Sequence, residues 1–232
     1  MEDFLKLNII YEDNHLLVVN KPSGILVQGD ITKRITLLEL AKKYIKIKYN
    51  KKGEVFLAIV HRLDRPVSGV VIFGRNSKSA SRLSQFFRER KVEKTYLALC
   101  HGILKEKEGV LKDYLTWDDK RRKAKIISEK DNMGKESITY YEVLYEHKGI
   151  SLIKLLPQTG RKHQLRIQLA KIGHPILGDI KYGGRKINND IIFLHCYSIK
   201  IPHPVKKTEM EFKAILPSFW REIYPEKVLS LF

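Results

Sequence analysis

The sequence predicts an α+β fold built on a mixed, mostly antiparallel sheet that is flanked by helices. Two observations favour it. Short segments rich in β-branched residues follow one another with turn signals between them, as in a succession of hairpins. Only three segments have the apolar spacing of a good helix. No low-complexity linker and no internal repeat interrupts the chain, so we predict a single domain over residues 1–232.

The beginning of the chain is predicted to form a hairpin followed by a helix. Ile9–Tyr11 and Leu16–Val19 have the composition of strands, and turn-forming residues separate them. Thr36 and Glu39 have the spacing of a capping box, which predicts a helix that starts at Thr36. The lysine-rich run over residues 42–52 is, taken alone, typical of a solvated helix face.

Two apolar segments flank a polar loop in the next part of the chain. Val55–Val60 and Val70–Phe73 are predicted strands, and His61–Pro66 lies between them as a candidate functional loop. Ser77 is predicted to cap a helix that runs to about Arg90. This order places the loop at the rim of the predicted sheet.

The second half is predicted as strands with one helix, which runs from Arg161 to Ile172 and ends at Gly173. Residues 117–132 contain the basic run Lys120–Lys125 and show no apolar period, so we predict a basic loop or a poorly ordered insertion there. The remaining predicted strands are Thr95–Leu99, Thr139–Tyr145, Ile150–Leu156, Ile191–Ile201 and Met210–Ile215.

The charge of the chain indicates an anionic partner. The 44 Lys and Arg residues outnumber the 26 Asp and Glu residues, for a net charge of +18. No apolar run approaches the roughly 18 residues that a membrane span needs, and the N-terminus lacks the regions of a secretory signal. Cys100 and Cys196 are too few for a disulfide framework. We therefore expect a cytoplasmic protein with free thiols and no contact with membranes.

Missing motifs exclude several classes of enzyme. The sequence has neither a phosphate-binding loop nor a glycine-rich dinucleotide fingerprint, so neither an NTPase nor a dinucleotide enzyme is indicated. Its histidines lack helical ligand spacing, and no Cys-x-x-Cys accompanies them. We accordingly expect no metal site and no nucleotide cofactor.

Two concentrations of polar residues carry the candidate chemistry. Asp64 lies between Arg62 and Arg65, and a carboxylate beside arginines in a cleft stays ionised at neutral pH. Such a carboxylate could act as a nucleophile. The second concentration is residues 158–166, a turn that leads into a helix with three cations near its start. A helix start of this kind can bind phosphate.

Five segments of the sequence form an ordered set of motifs. They are Asn20-Lys21-Pro22-Ser23-Gly24, His61-Arg62-Leu63-Asp64-Arg65-Pro66-Val67-Ser68-Gly69, Lys94-Thr95-Tyr96-Leu97-Ala98-Leu99, Thr159-Gly160-Arg161-Lys162-His163-Gln164-Leu165-Arg166 and Gly173-His174-Pro175-Ile176-Leu177-Gly178-Asp179. In this order along the chain, they resemble the motifs of the RluA-type pseudouridine synthases, from about residue 8 to residue 216. This sequence departs from the family at Val67, where the family usually has Thr, and in the lack of an N-terminal S4-type RNA-binding module.

The resemblance implies a pseudouridine synthase fold and an enzyme that isomerises uridine in ribosomal or transfer RNA, without metal, redox cofactor or nucleotide. It implies that Asp64 is the catalytic aspartate, Tyr96 the active-site tyrosine and Arg166 the partner of the aspartate. Arg62 would enter the RNA stack as the target uridine flips out. We expect a monomer, in which the other cations of the motifs contact RNA: Arg65, Arg161, His163 and Lys21.

Two alternatives compete with this enzyme. A non-catalytic RNA-binding or ribosome assembly protein would also explain the net charge of +18. It would not explain an acidic residue inside a basic loop, since an anion there weakens phosphate binding. A DNA-binding protein ranks lower because no helix-turn-helix or zinc-finger pattern is present. Whether Asp64 attacks C1′ of the ribose or adds to the base stays open at this level.

Overall fold

The protein has an α+β fold in which strands dominate, as predicted. The structure is a computed structural model that describes residues 7–29, 34–187 and 191–223. In chain order its elements are β1 (Asn8–Glu12), β2 (Leu16–Lys21), α1 (Leu37–Lys48), β3 (Ala58–Ile59), β4 (Ser68–Gly74), α2 (Ser77–Arg88), β5 (Glu93–His101), β6 (Glu108–Asp118), β7 (Lys123–Ile127), β8 (Lys135–His147), β9 (Ile150–Pro157), α3 (Gln164–Lys171), a 3-10 segment (Ile180–Tyr182), β10 (Leu194–Pro202), β11 (Glu209–Lys213) and a second 3-10 segment (Ser218–Glu222).

The chain divides into two compact units. The first comprises Met1–Val92 and Cys196–Pro217. Within it, β2 pairs antiparallel with β1 and with β4, and β10 pairs antiparallel with β11. Both β2 and β4 are buried along nearly their whole length, which explains their continuous apolar sequences. The predicted opening hairpin is thereby confirmed.

Helix capping is predicted correctly for one helix of the first unit and shifted for the other. Thr36 caps α1, and Glu39 completes the capping box with a bond to the Thr36 N–H. For α2 the cap is Asn76 rather than Ser77, because the Asn76 side chain accepts the N–H of Ser79. The strand predicted at Val55–Val60 is also shorter, since only Ala58 and Ile59 pair with β4.

The second unit comprises Glu93–His195 and Ser218–Phe232. Its strands pair antiparallel in the order β5, β9, β8, β6, β7. Helix α3 buries Leu165 and Leu169 and begins at Gln164, three residues later than predicted. His163 precedes it in the left-handed region, at a φ of 58°, which explains the late start. Gly173 follows the helix at a φ of 86° and fits the predicted stop.

One prediction for the second unit is wrong. Residues 117–132, predicted as a basic loop or poorly ordered insertion, contain the end of β6 and all of β7. The two strands form a hairpin whose partners run from Tyr114 with Ile127 to Asp118 with Lys123. Lysines at solvent-facing positions mask the alternation in the sequence, while Leu115 and Ala124 are buried. The basic residues Lys120 to Arg122 therefore form a tight turn.

Two further findings concern the described part of the chain. None of its helices combines the length and apolar character that crossing a membrane requires. Cys100 and Cys196 are both buried, and no disulfide joins them. Burial raises the pKa of the Cys100 thiol far above its usual value, so this thiol stays protonated at neutral pH.

Candidate active site

The loop that carries Asp64 is anchored on both sides in the first unit. Leu63 and Val67 are buried, and the Val67 N–H donates to the Asp64 carbonyl over 3.0 Å. The Arg65 carbonyl accepts the Gly24 N–H over 2.8 Å. Buried apolar neighbours and a closed turn hold the backbone of Asp64 in place, and its side chain is half-buried.

His61 fastens the start of this loop to the sheet. Its Nε2 accepts the backbone N–H of Ile72 in β4 over 3.0 Å. Its ring stacks on Phe87 of α2, with centroids 4.8 Å apart and an interplanar angle of 21°. Because Nε2 accepts a hydrogen bond, a neutral His61 carries its proton on Nδ1. These contacts fix the residue that begins the loop.

Lys21 supports the loop from beneath. Its side chain is fully buried, and its ammonium donates to the carbonyls of Pro22, Ile25 and Arg65 over 3.0, 2.8 and 3.1 Å. Burial lowers the pKa of Lys21 to about 7, although the charge of Asp64 acts in the opposite direction. The three carbonyls match the three N–H donors of an ammonium. The sequence predicted that Lys21 contacts RNA, whereas its side chain is buried against backbone carbonyls.

A glycine lets the strand after the loop approach its neighbour closely. Gly69 has a φ of 117°, and a Cβ atom there would lie 2.2 Å from the carbonyl oxygen of Cys196. Any other residue would displace the start of β4. Packing therefore requires Gly69, the glycine that ends the loop motif.

An open cleft of about 490 Å³ lies beside the loop in the first unit. Its volume is in the range of small-ligand sites. The exposed side chain of Arg62 lines it together with the half-buried ring of His61. The other lining residues are Gln28, Leu38, Ile59 and Val60. The lining combines three apolar side chains with two polar ones and the cation Arg62, which suits a ligand that has a flat face and a negative charge.

In the second unit, Arg166 forms a buried ion pair. Its Nε and Nη2 donate to the two carboxylate oxygens of Asp179 over 2.7 and 2.8 Å. Arg166 is 5% exposed and Asp179 1% exposed. A bidentate pair fixes the plane of the guanidinium and uses two of its five N–H donors. The resemblance implied Asp64 as the partner of Arg166, whereas this bidentate pair is with Asp179.

Two glutamines of α3 fix the helix that carries Arg166. Gln164 accepts from Thr159 over 2.8 Å and donates to Thr139 over 2.9 Å. Gln168, one turn later, accepts from Thr139 over 2.7 Å and donates to Asp113 over 3.1 Å. All of these side chains are buried. A buried polar network with paired members sets the register of α3 on the sheet.

The other predicted residues of the second unit lie on its strands and before α3. Tyr96 is half-buried in β5, opposite Leu155 of β9. Arg161 donates from Nε to the carbonyl of Glu136 over 3.1 Å. His163 has its Nδ1 2.8 Å from the hydroxyl of Tyr182, and its ring meets Trp117 edge-on. The structure thus groups Arg161, His163 and Arg166 around the start of α3.

Comparison with known proteins decides the family. The sequence profile of the RNA pseudouridylate synthase family matches residues 15–171. The chain belongs to this family. The match covers the loop of Asp64, the strand of Tyr96 and the helix of Arg166, so the resemblance drawn from the five motifs is confirmed.

Relatives of this synthase act on two kinds of RNA, according to their names. The ribosomal large subunit pseudouridine synthase C of Buchnera aphidicola subsp. Schizaphis graminum (strain Sg) is 36% identical over 92% of this chain and 68% of its own length. The tRNA pseudouridine synthase C of Haemophilus influenzae (strain ATCC 51907 / DSM 11121 / KW20 / Rd) is 33% identical over 94% of this chain and 96% of its own length.

A solved structure supports the fold. Human RNA Pseudouridylate Synthase Domain Containing 4 has a TM-score of 0.77 at 25% identity, over 92% of this chain and 90% of its own. The predicted pseudouridine synthase fold is thereby confirmed, and the family match with the named relatives confirms the isomerase class.

Three supporting residues were not predicted from the sequence. Asp179 lies inside a motif that carries the family resemblance, so its position was visible but its partner was not. Gln164 and Gln168 are four residues apart on one face of a helix, and this spacing is a signal that two buried amides act together. Their partners on β6 and β8 are distant in sequence and could not be read from it.

Proposed function

We propose that this synthase converts uridines of ribosomal or transfer RNA to pseudouridine, with Asp64 as the catalytic carboxylate. It works as a monomer in the cytoplasm, with residues 1–232 as one catalytic domain. Two buried cysteines without a disulfide between them agree with a reducing compartment. The RNA classes are those in the names of the relatives.

The reaction exchanges one bond for another. The bond between C1′ and N1 of uridine breaks, the base turns over, and C1′ joins C5. N1 gains a proton and C5 loses its proton, so atoms and electrons balance without an oxidant or reductant. A carboxylate assists this exchange either by attack on C1′, as in retaining glycosidases, or by addition to the base.

The observation that carries the proposal is the rigid setting of Asp64. Its loop is held by buried side chains and backbone hydrogen bonds, and Arg62 lines the cleft beside it. A nucleophile must be held in place to be effective. An acidic residue weakens phosphate binding in such basic surroundings. Catalysis explains its presence, whereas RNA binding alone does not.

Other residues of the motifs have supporting roles in the proposal. Arg62 fills the space that the flipped uridine leaves in the RNA stack. Tyr96 stacks on the target base and transfers a proton. Arg166 supplies a cation to the reaction, and Asp179 fixes the plane of its guanidinium. Arg65, Arg161 and His163 supply further RNA contacts. Lys21 supports the loop and is not assigned a contact with RNA, because it is fully buried.

The Asp64→Asn variant tests the proposal. Turnover, measured as tritium release from RNA labelled at C5 of uridine, should fall by roughly 10³-fold or more, because an amide is a poor nucleophile. RNA affinity should stay near wild type or rise, since a negative charge is removed. The matched control is Asp131→Asn, an exposed aspartate in the turn between β7 and β8, which should keep full turnover.

Three outcomes would contradict parts of the proposal. Turnover close to wild type in Asp64→Asn would remove Asp64 from the mechanism. Wild-type protein inactive on every cellular RNA would favour the binding-protein alternative. A map of pseudouridines in cells with and without the protein would show which RNA loses a modified position, and a loss confined to other RNA classes would overturn the substrate assignment.

A further inference from the structure

Tyr182, at the end of the first 3-10 segment, contacts both β7 and the residue that precedes α3. Its hydroxyl lies 2.7 Å from the backbone nitrogen of Ala124 in β7 and 2.8 Å from Nδ1 of His163, just before α3. The hydroxyl accepts the Ala124 N–H and also shares a hydrogen bond with Nδ1 of His163. One oxygen atom thereby ties the β6–β7 hairpin to the start of α3.

The ring of Tyr182 faces the buried cation of α3. The guanidinium carbon of Arg166 is 5.2 Å from the ring centroid, within the range of a cation–π contact. Asp179, the bidentate partner of Arg166, is three residues before Tyr182, and its backbone carbonyl accepts the Tyr182 N–H over 3.1 Å. A single short turn therefore supplies both the carboxylate and the aromatic face that hold Arg166.

The hairpin makes two more contacts with the same neighbourhood. Lys181 donates from its ammonium to the Arg122 carbonyl over 3.0 Å. The Lys162 ammonium lies 3.4 Å from the ring centroid of Trp117 in β6. The exposed cations Lys120, Arg121 and Arg122 lie at the hairpin turn, which suits phosphate contact. The hairpin is thus a basic element attached at its base to the helix of Arg166.

We propose that Tyr182 is a positioning residue with two roles, in which its hydroxyl places the β6–β7 hairpin for RNA docking and its ring places Arg166. The inference rests on the proposed function, because it assigns RNA contact to the hairpin and a role in catalysis to Arg166. The hydroxyl holds the hairpin, and the ring holds the guanidinium. Removing one should therefore affect a different kinetic constant from removing the other.

Two variants separate the two halves of the side chain. Tyr182→Phe keeps the ring and removes the hydroxyl, so KM for RNA should rise roughly 5- to 10-fold with kcat within about twofold of wild type. Tyr182→Leu also removes the aromatic face, so kcat should fall by roughly 30-fold. Tyr140→Phe, on the exposed side of β8, is the matched control and should change neither constant.

A combination of variants tests whether the hydroxyl acts through the hairpin. Replacing Lys120, Arg121 and Arg122 with Gln should raise KM, and adding Tyr182→Phe to that variant should raise it by much less than the product of the two effects. Effects on KM that multiply fully would overturn the role of the hydroxyl in placing the hairpin.

The kinetic constants and the melting temperature together distinguish a positioning role of Tyr182 from a merely structural one. A merely structural Tyr182 would lower the melting temperature and leave kcat and KM unchanged below it, and that result would overturn the inference. A wild-type protein without turnover would instead overturn the proposed function. Turnover in the wild type with unchanged kinetics in both Tyr182 variants would refute the inference alone.

Discussion

Lys21 and Arg166 are both buried cations, but different acceptors hold them. Lys21, in the first unit, donates to three neutral carbonyls of its own loop region. Arg166, in the second unit, donates to the carboxylate of Asp179 in a bidentate pair. The first arrangement satisfies the donors without compensating the charge. The second does both.

This difference explains why burial affects the two residues differently. Carbonyl dipoles offset only part of the lost hydration of an ammonium, so the pKa of Lys21 is lowered to about 7 and the residue can lose its proton near neutral pH. A guanidinium keeps its proton under all ordinary conditions. Arg166 is therefore a permanent charge that needs Asp179, whereas Lys21 is a titratable support for the Asp64 loop.

Removing Asp179 should have the largest effect on stability. Asp179→Ala leaves the Arg166 charge buried without this carboxylate, which should cost about 3–5 kcal/mol in the free energy of unfolding. Urea unfolding measures the change, and Asp119→Ala is the exposed control. A loss below about 1 kcal/mol, as for an exposed pair, would show that the pair does not hold the turn and helix together.

Replacing Arg166 should show whether turnover depends on its charge alone or also on the planar geometry of its guanidinium. Arg166→Ala should abolish most turnover, and Arg166→Lys should recover part of it, since a point charge does not reproduce the planar fork on Asp179. Single-turnover kinetics on saturating RNA provide the measurement. Equal rates for wild type and Arg166→Ala would refute the catalytic role, and full recovery by Lys would refute the importance of the bidentate geometry.

Replacing Lys21 should have a smaller effect that depends on pH. The pKa of Lys21 is about 7 in the folded chain, against an ordinary value of 10.5. Between these values the unfolded chain binds more protons, so the contribution of Lys21 to stability rises with pH, by up to about 1.4 kcal/mol per pH unit. Below pH 7 the full cost of the buried charge applies.

The variant Lys21→Met tests whether the contribution of Lys21 to stability rises with pH. Its loss of stability relative to wild type should be about 1–3 kcal/mol near pH 9, because the carbonyls lose their donor, and should shrink toward pH 6. Urea unfolding at several pH values measures the difference, with the exposed Lys78→Met as control. A difference that is constant with pH would contradict the lowered pKa.

Replacing the cations of the β6–β7 hairpin should have the smallest effect on the stability of the fold and should act mainly on RNA binding. Changing Lys120, Arg121, Arg122, Lys123 and Lys125 to Gln should lower the slope of log affinity against log salt by about 0.7–0.9 for each RNA phosphate that the protein no longer neutralises. Lys125 already pairs with Asp118 over 2.8 Å and should contribute least. Saturating turnover should change little, because these residues hold phosphates and not the reacting uridine.

A matched variant separates a specific surface from net charge. It carries Gln at five lysines of the exposed α1 region, Lys42, Lys43, Lys46, Lys51 and Lys52, and so removes the same number of charges. If the hairpin binds RNA, the hairpin variant should have the lower salt slope. Equal slopes in both variants would assign the effect to net charge alone.

Local sequence signals account for much of the fold. The opening hairpin, the capping box of Thr36 and Glu39 and the stop at Gly173 each depend on residues close together in the chain, and all three are confirmed. The family follows from five ordered motifs. The β6–β7 hairpin was missed because its lysines hide the alternation, and only pairing with neighbouring strands makes it a strand.

By itself, the sequence determined the class of fold, the family, the basic charge and the candidate Asp64. The tertiary structure decided which cations are buried and what binds them. Lys21 was expected to touch RNA, but its side chain is fully buried under the Arg65 carbonyl, 44 residues away in the chain. The family resemblance indicated Asp64 as the partner of Arg166, whereas the folded chain places Asp179 in a bidentate pair with it. Contacts between residues distant in sequence depend on packing, and no local pattern encodes them.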